Sequence, residues 1–437
     1  MRLPSTSPGH RLVALTLLST LLACSNDGEP TLVPPGGGTA GTAGTAGTAG
    51  TGQGAASAGT AGKSGAGDGG TAGAAGAGVA PVELPCLPAS AHEKVLTLEA
   101  NSPLCVVRAH RTSVAGFGYS FLVNWGQHGG PLSTNTDADQ DLATSDPPEV
   151  RRWTLPDDPQ AMLDATPLVV TVPGLPASPT AIYYGPAVDV PALNLTTLSY
   201  TTSGANYEGE LVAFDPSFGS VKSRAHVNGF YSGVALPSVP PSGGKERLIF
   251  TSLSPVATAA SATSDSGLYT LDICDDVTLL KADCGSSLRL AGWGSTSGPV
   301  TTDASGNLFA TLSTLGSTQE VRGFTSAQAH GSQPAAGQLV LSNPDSSTSL
   351  AASAPTASAP GLLVVQTSGG PNFSALPALV FHYTVVGGAV TTTPIAQGGL
   401  KATKLDASPV VFGAPDGTLW VAVDGADGGY FVALRRQ

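Results

Sequence analysis

Charge is what this chain has least of. Only 11% of its residues are Asp, Glu, Lys or Arg, against about 25% in an average globular domain. Positive charge is the scarcer kind: 19 Lys and Arg against 31 Asp and Glu leave a formal charge of −12. That argues against a nucleic-acid partner, which requires a basic patch. It also argues against adhesion to anionic lipid through a polybasic surface. Long apolar runs are missing, and no stretch reaches the ~18 apolar residues of a membrane span. No window holds a long 3.6-residue apolar period, so little helix is expected. Neither a G-x-S-x-G nucleophile elbow nor an H-E-x-x-H zinc motif occurs. Glycine is in excess instead: 56 Gly, beside 35 Pro, in 437 residues.

The first residues read as an export signal. Arg2 and Arg11 supply positive charge, and Leu12–Leu22 is an apolar run broken only by Thr16, Ser19 and Thr20. It is too short for a spanning helix and has signal-peptide proportions. It ends in Leu21-Leu22-Ala23-Cys24, which resembles the bacterial lipobox. The resemblance implies cleavage before Cys24 and a lipid on its thiol. Residues 1–23 are then a lipoprotein signal peptide, and the membrane is reached through Cys24. Ser25 follows where Asp would imply inner-membrane retention, so the expected location is the cell envelope, at the outer membrane.

Residues 24–81 read as a tether. Positions 36–78 hold 18 Gly, with Thr-Ala-Gly triplets from Thr39 to Gly50 and again at Thr60–Gly62 and Thr71–Gly73. The period of three is collagen-like, but no Pro lies between Gly36 and Gly78, which argues against a triple helix. Without large apolar side chains the segment cannot offset its own ordering entropy, so disorder is expected. A Gly-rich coil from Cys24 to Pro81 spans roughly 40 Å. Gly62-Lys63-Ser64 has the ending of a phosphate-binding loop, but Ser57 stands where the loop's first Gly belongs, and no strand precedes it.

Residues 82–437 read as an all-β unit. Short apolar runs recur at Phe121–Val123, Leu168–Val172, Ala181–Tyr184, Gly209–Phe214, Arg247–Phe250, Leu308–Ala310, Leu362–Val365, Ala378–Tyr383, Leu419–Val423 and Tyr430–Leu434. Gly, Pro, Ser, Asn and Asp clusters separate them, as turns separate strands. Asp158–Asp164 is the one candidate helical turn. A loose repeat links Gly209, Gly267, Gly306, Gly361 and Gly417, at intervals of 58, 39, 55 and 56. In its fullest versions a turn with Asp and Gly leads at once into an apolar strand, as in Asp303-Ala-Ser-Gly306-Asn-Leu308 and Asp416-Gly417-Thr-Leu419. Such spacing suits a four-stranded propeller blade of about 40–50 residues. The expectation is a single β-propeller of about seven blades, six or eight being the neighbouring counts. The alternative is an array of β-sandwich domains, with Pro237–Pro241 as a candidate boundary.

Gly209-Glu-Leu-Val-Ala-Phe-Asp215-Pro-Ser-Phe-Gly219-Ser-Val221 resembles one repeat of the quinoprotein-like propellers, and Gly267–Asp272 is a truncated echo. The resemblance implies the propeller fold, a hairpin closed by Asp and Gly between outer strands, and a Trp docking neighbouring blades. Ser223 and Arg224 stand where that Trp is expected, and no quinone cofactor is implied.

Four Cys remain after Cys24. Nearest-neighbour pairing gives Cys86–Cys105 and Cys274–Cys284, one of three possible connectivities; export permits such bonds. No pair has zinc-ligand spacing, and His92 and His110 lack a second Cys or His pair. Asp137, Asp139 and Asp141 form the one cluster whose alternating carboxylates could hold Ca²⁺, although Leu142 and Pro148 stand at the Gly and Glu positions of an EF-hand loop. The blander reading is a solvated acidic loop. Asp424 and Asp427 read as a turn. Asp157-Asp158 and Asp275-Asp276 are adjacent, and neighbours in a strand point to opposite faces. Trp125, Trp153, Trp293 and Trp420 read as core packing, with a carbohydrate platform as the alternative.

These features point to a tethered, non-catalytic binding or scaffolding module for a protein or glycan partner. The alternative is an extracellular polysaccharide hydrolase or lyase with carboxylates at the centre of the propeller. A third reading is an envelope-assembly component that recruits partners by its blade edges.

Overall fold

A computed structural model describes residues 84–437 except for connecting stretches, the longest being 113–122, 136–148, 239–246, 253–266, 273–286 and 368–378. Cys24, the tether, Asp137, Asp139, Asp141, Cys274, Cys284 and Trp293 lie outside the described residues. All described residues belong to one unit, Ala74–Gln437.

A 3-10 turn at Ala89–Ala91 leads into β1 (Leu96–Leu98) and β2 (Leu104–Thr112). Six antiparallel sheets follow. Blade 1 is β3 (Val123–Gly126), β4 (Gly130–Asn135), β5 (Glu149–Arg152) and β6 (Leu168–Thr171). Blade 2 is β7 (Ile182–Tyr184), β8 (Val188–Val190), β9 (Leu195–Thr202), β10 (Glu208–Phe214) and β11 (Val221–Asn228). Here β7 and β8 pair successive parts of β9, as one first strand interrupted at 185–187. Blade 3 is β12 (Ala235–Ser238), β13 (Arg247–Ser252), β14 (Gly267–Asp272) and β15 (Ser287–Gly292). Blade 4 is β16 (Ser297–Thr302), β17 (Leu308–Ser313), β18 (Gln319–Phe324) and β19 (Gln338–Asn343). Blade 5 is β20 (Ser347–Ser353), β21 (Gly361–Thr367), β22 (Leu379–Val386) and β23 (Ala389–Pro394). After β24 (Leu400–Ala402), which pairs β1, come β25 (Val410–Gly413), β26 (Leu419–Gly425) and β27 (Gly428–Arg436).

The last sheet takes its fourth strand from the other end of the chain. β2 pairs antiparallel with β27, from Leu104 opposite Arg436 to Thr112 opposite Gly429. The first strands β3, β8, β12, β16, β20 and β25 touch in that cyclic order, and β25 returns to β3. This closed ring of radial sheets is a six-bladed β-propeller.

Blade 6 shows why the chain needs so few charges. Along β27, Phe431 and Ala433 face one core while Val432 and Leu434 face another. In β26, Trp420 and Ala422 point one way and Leu419, Val421 and Val423 the other. The period of two puts alternate residues on opposite faces, and both faces are covered by neighbouring blades. Such strands read as continuous apolar runs, and burying each large side chain contributes about 1.5–3 kcal/mol.

The free edge of β2 is covered by blade 1. Residues 156–163, on the way from β5 to β6, run beside it as a strap. The Ala109 N–H donates to the Pro159 carbonyl at 2.8 Å, and the Leu163 N–H to the Arg111 carbonyl at 2.8 Å. Arg108 Nη1 adds a bond to the Pro156 carbonyl at 2.9 Å. An edge that would invite strand addition is thereby paired. The helical turn expected at 158–164 is one isolated turn within this strap, the Ala161 N–H donating to the Asp158 carbonyl, and residues 161–163 continue without helix. One short helix, α1 (Ser326–Ala329), was not expected; Thr325 and Gln328 close a capping box at its start.

Each of the ten apolar runs falls on a strand where it is described, except that Val172 lies one residue past β6. The expected seven blades are six, and the sandwich alternative is overturned: Pro237 lies within β12 of the ring. The miscount has a definite cause. Gly209 and Gly267 stand at the start of third strands, whereas Gly306 and Gly417 lie in turns between first and second strands and Gly361 opens a second strand. The short interval of 39 is the slip between these two phases. The first strands begin at 123, 182, 235, 297, 347 and 410, a blade of about 57 residues.

Candidate functional site

Among the described residues, two polar clusters and one aromatic seam stand out where blades meet. The first joins blades 1 and 2. Asp189, in the middle of β8, is 1% exposed. Arg152, the last residue of β5, donates to both its oxygens, Nη1 to Oδ2 at 2.8 Å and Nη2 to Oδ1 at 2.6 Å. The Thr196 hydroxyl of β9 donates to Oδ1 at 2.6 Å and also contacts Arg152 Nη2. Arg152 Nε donates to the Pro216 carbonyl at 2.9 Å. Two-pronged, fully hydrogen-bonded pairing is what makes a buried ion pair tolerable.

The second joins blades 4 and 5. Asp303 follows β16, and its Oδ1 accepts the N–H groups of Ser305 at 2.8 Å and Asn307 at 2.9 Å. Its Oδ2 accepts Asn307 Nδ2 at 2.7 Å. Gly306 allows the turn with φ +79°, as Gly417 does with +84° in blade 6. The Tyr383 hydroxyl of β22 donates to the same Oδ2 in a short hydrogen bond. Burial, then the Asp303 charge and its hydrogen bond, push the Tyr383 phenol far above its ordinary value of 10.0. Gly361 makes room: a Cβ there would run into the Tyr383 ring and stand 2.7 Å from the Ser353 carbonyl.

The third is an aromatic seam between blades 6 and 1. Trp125 of β3 lies 5.3 Å from Trp420 of β26, centroid to centroid. Trp420 stacks on Phe412, and Trp153 meets Phe431 edge-on at 5.6 Å. Trp153 Nε1 donates to the Ser133 hydroxyl at 3.2 Å. The resemblance implied one docking Trp per repeat; the structure places three Trp at a single seam, in packing roles.

Other expected residues are scattered. Cys86 and Cys105 are joined by a disulfide. The bond ties the segment before the 3-10 turn to β2, and the Leu87 N–H donates to the Val106 carbonyl at 2.7 Å. His92 and His110 sit apart: the first bonds the Leu96 carbonyl and the second that of Ala161. Among the described residues no group of three His, Cys, Asp or Glu is placed to hold a metal ion. Arg152, Asp189 and Tyr383 were not anticipated from the sequence. One signal was available: Glu149-Val-Arg-Arg-Trp153 and Glu320-Val-Arg-Gly-Phe324 are near-copies on the third strands of blades 1 and 4. Both keep a Glu–Arg pair, at 3.2 and 2.8 Å.

No protein-family model matches the chain, and no curated protein matches it either. Solved structures do resemble it. A glucose dehydrogenase structure is 12% identical, with a TM-score of 0.43, covering 74% of this chain and 98% of its own. The periplasmic gluconolactonase of Pseudomonas aeruginosa is 15% identical, with a TM-score of 0.36, covering 68% of this chain and 80% of its own. An Aleuria aurantia lectin is 11% identical, with a TM-score of 0.34, covering 76% and 91%. The propeller assignment itself stands on the strand pairing above.

Proposed function

We propose that the chain is an extracytoplasmic propeller that binds a protein or glycan partner without catalysis, held to the outer membrane by a lipid on Cys24. One observation carries the binding reading. Large apolar side chains are exposed on the strap and on β6, the outer strand of blade 1: Met162 is 52% exposed, Leu168 51% and Val169 43%. Single exposed apolar residues are ordinary; here Leu168 and Val169, adjacent in β6, leave apolar side chains uncovered on both faces of an outer strand. The two buried carboxylates described, Asp189 and Asp303, are committed to clamps between blades. A glycosidase instead needs two carboxylates facing one cleft, about 5–9.5 Å apart.

The test uses the full chain and Leu168→Ser/Val169→Ser, matched for folded stability. Both are applied to a glycan array and cross-linked in isolated envelopes. Capture of a defined glycan or partner by the unaltered chain, lost in the variant, supports the proposal. Release of reducing ends from polysaccharide would overturn it in favour of hydrolysis. For the anchor, Cys24→Ser should move the protein out of the membrane fraction; continued membrane association would reject the lipid.

A further inference from the structure

Closing the ring through β2 buries a titratable side chain between blades. His110 is 0% exposed. It lies at the junction of three elements: its own strand β2, the strap 156–163 and β26. Its Nδ1–H donates to the Ala161 carbonyl of the strap at 2.9 Å. Its ring stacks on Trp420, with centroids 6.4 Å apart and planes 15° apart. Nε2 is therefore the nitrogen left to take a proton, and it has no hydrogen-bond partner among the described residues.

We propose that His110 makes ring closure acid-sensitive: protonation of Nε2 releases the strap from β2 and loosens the seam between blades 6 and 1. A charged imidazole needs a second acceptor or water, and the stacked indole offers neither. Arg108 and Arg111 lie on its own strand, Asp157 and Asp158 on the strap, Asp424 on β26, and Tyr430 and Arg435 on β27. Burial is the largest influence and lowers the affinity of His110 for a proton. Its bond to the Ala161 carbonyl opposes this, Arg108 reinforces it and Asp158 opposes it.

The sign follows from linkage. In the opened state the imidazole titrates near its ordinary value of 6.5, and in the closed state it does so lower. The two states bind protons alike above that value. Below it the opened state binds more, so closure weakens by up to tenfold per pH unit until the closed-state value is reached.

Amide exchange of the full chain at pH 7.5 and 5.0, corrected for intrinsic rates, tests this. Peptides covering 104–112 and 156–163 should lose about ten- to thirty-fold in protection on acidification. A blade 4 peptide covering 308–324 should not. His110→Phe should abolish the difference. Unchanged protection of β2 at pH 5.0, or the same loss in His110→Phe, overturns the proposal. Should His110→Phe fail to fold, the imidazole of the unaltered chain is titrated by NMR. Its staying neutral until β2 loses protection supports the proposal; its titrating at or above 6.5 with β2 still protected overturns it.

Discussion

Asp189→Ala should be among the most costly single substitutions in the molecule. The carboxylate accepts both prongs of Arg152 and the Thr196 hydroxyl. Without it the guanidinium stays buried between blades 1 and 2, with the Pro216 carbonyl and Thr196 as its remaining oxygens. Breaking a buried pair by removing one partner costs about 3–5 kcal/mol, because the other charge is left uncompensated. Arg152→Met strands the carboxylate instead and should cost a similar amount. With a urea dependence of about 3 kcal/mol per molar, either change moves the unfolding midpoint down by about 1–1.7 M. Removing both charges tests the cause: Arg152→Met/Asp189→Leu should be more stable than either single variant, since no buried charge remains. The assay is urea unfolding of all four proteins, followed by Trp fluorescence and by circular dichroism. Either single change costing less than about 1 kcal/mol, the value of a solvated pair, would refute the reasoning. So would a double variant whose cost is the sum of the two.

Tyr383→Phe removes the hydroxyl from Asp303 and should cost about 1.5–3 kcal/mol, the range for a hydrogen bond to a charged group; an unchanged urea midpoint would show the bond to be idle. Gly361→Ala should cost about 3 kcal/mol or more, because its Cβ enters the Tyr383 ring; Gly361→Ala/Tyr383→Leu should recover part of that loss if the clash is the cause. Cys86→Ser/Cys105→Ser should lower stability by about 3 kcal/mol, from the chain entropy of its closed loop, and exchange should quicken in 84–98 before any other segment. Trp420→Ala should cost about 3–5 kcal/mol, with protection lost first in β2 and β3; uniform loss across all blades would argue against a localised seam.

The strands were legible because they obey a local rule. Apolar runs of three to six residues between turn formers identify a strand wherever the chain runs. Blade count depends on phase, and phase is not local. Gly306 and Gly267 look alike in sequence, yet one stands in a turn after the first strand and the other opens the third. The Glu-Val-Arg copies at 149 and 320 hold the same phase, but their spacing divides as readily into four blades as into the three that the structure places there. The partner of β2 could not be read at all, since Leu104 meets Arg436 only after every blade between them is in place. The clamps were hidden for a similar reason. Arg152 and Asp189 lie on different blades, and nothing next to either announces the other. Trp125, Trp153 and Trp420 pack as the sequence suggested, but their concentration at one seam follows from closure.

The disulfide has a mechanical consequence. A pull arriving from the N-terminal side reaches Cys86 and crosses the sulfur bridge directly to Cys105, the second residue of β2. The 3-10 turn and β1 lie in the loop that the bridge bypasses, so the pairing of β1 with β24 carries no load. The force is delivered to β2 next to Leu104, which faces Arg436 at the very end of β27. Under reduction the same pull would first unravel the bypassed loop, which would yield slack before the ring felt any tension. The bridge thus decides whether a tug on this protein is absorbed as extension or transmitted to the ring's closing strand.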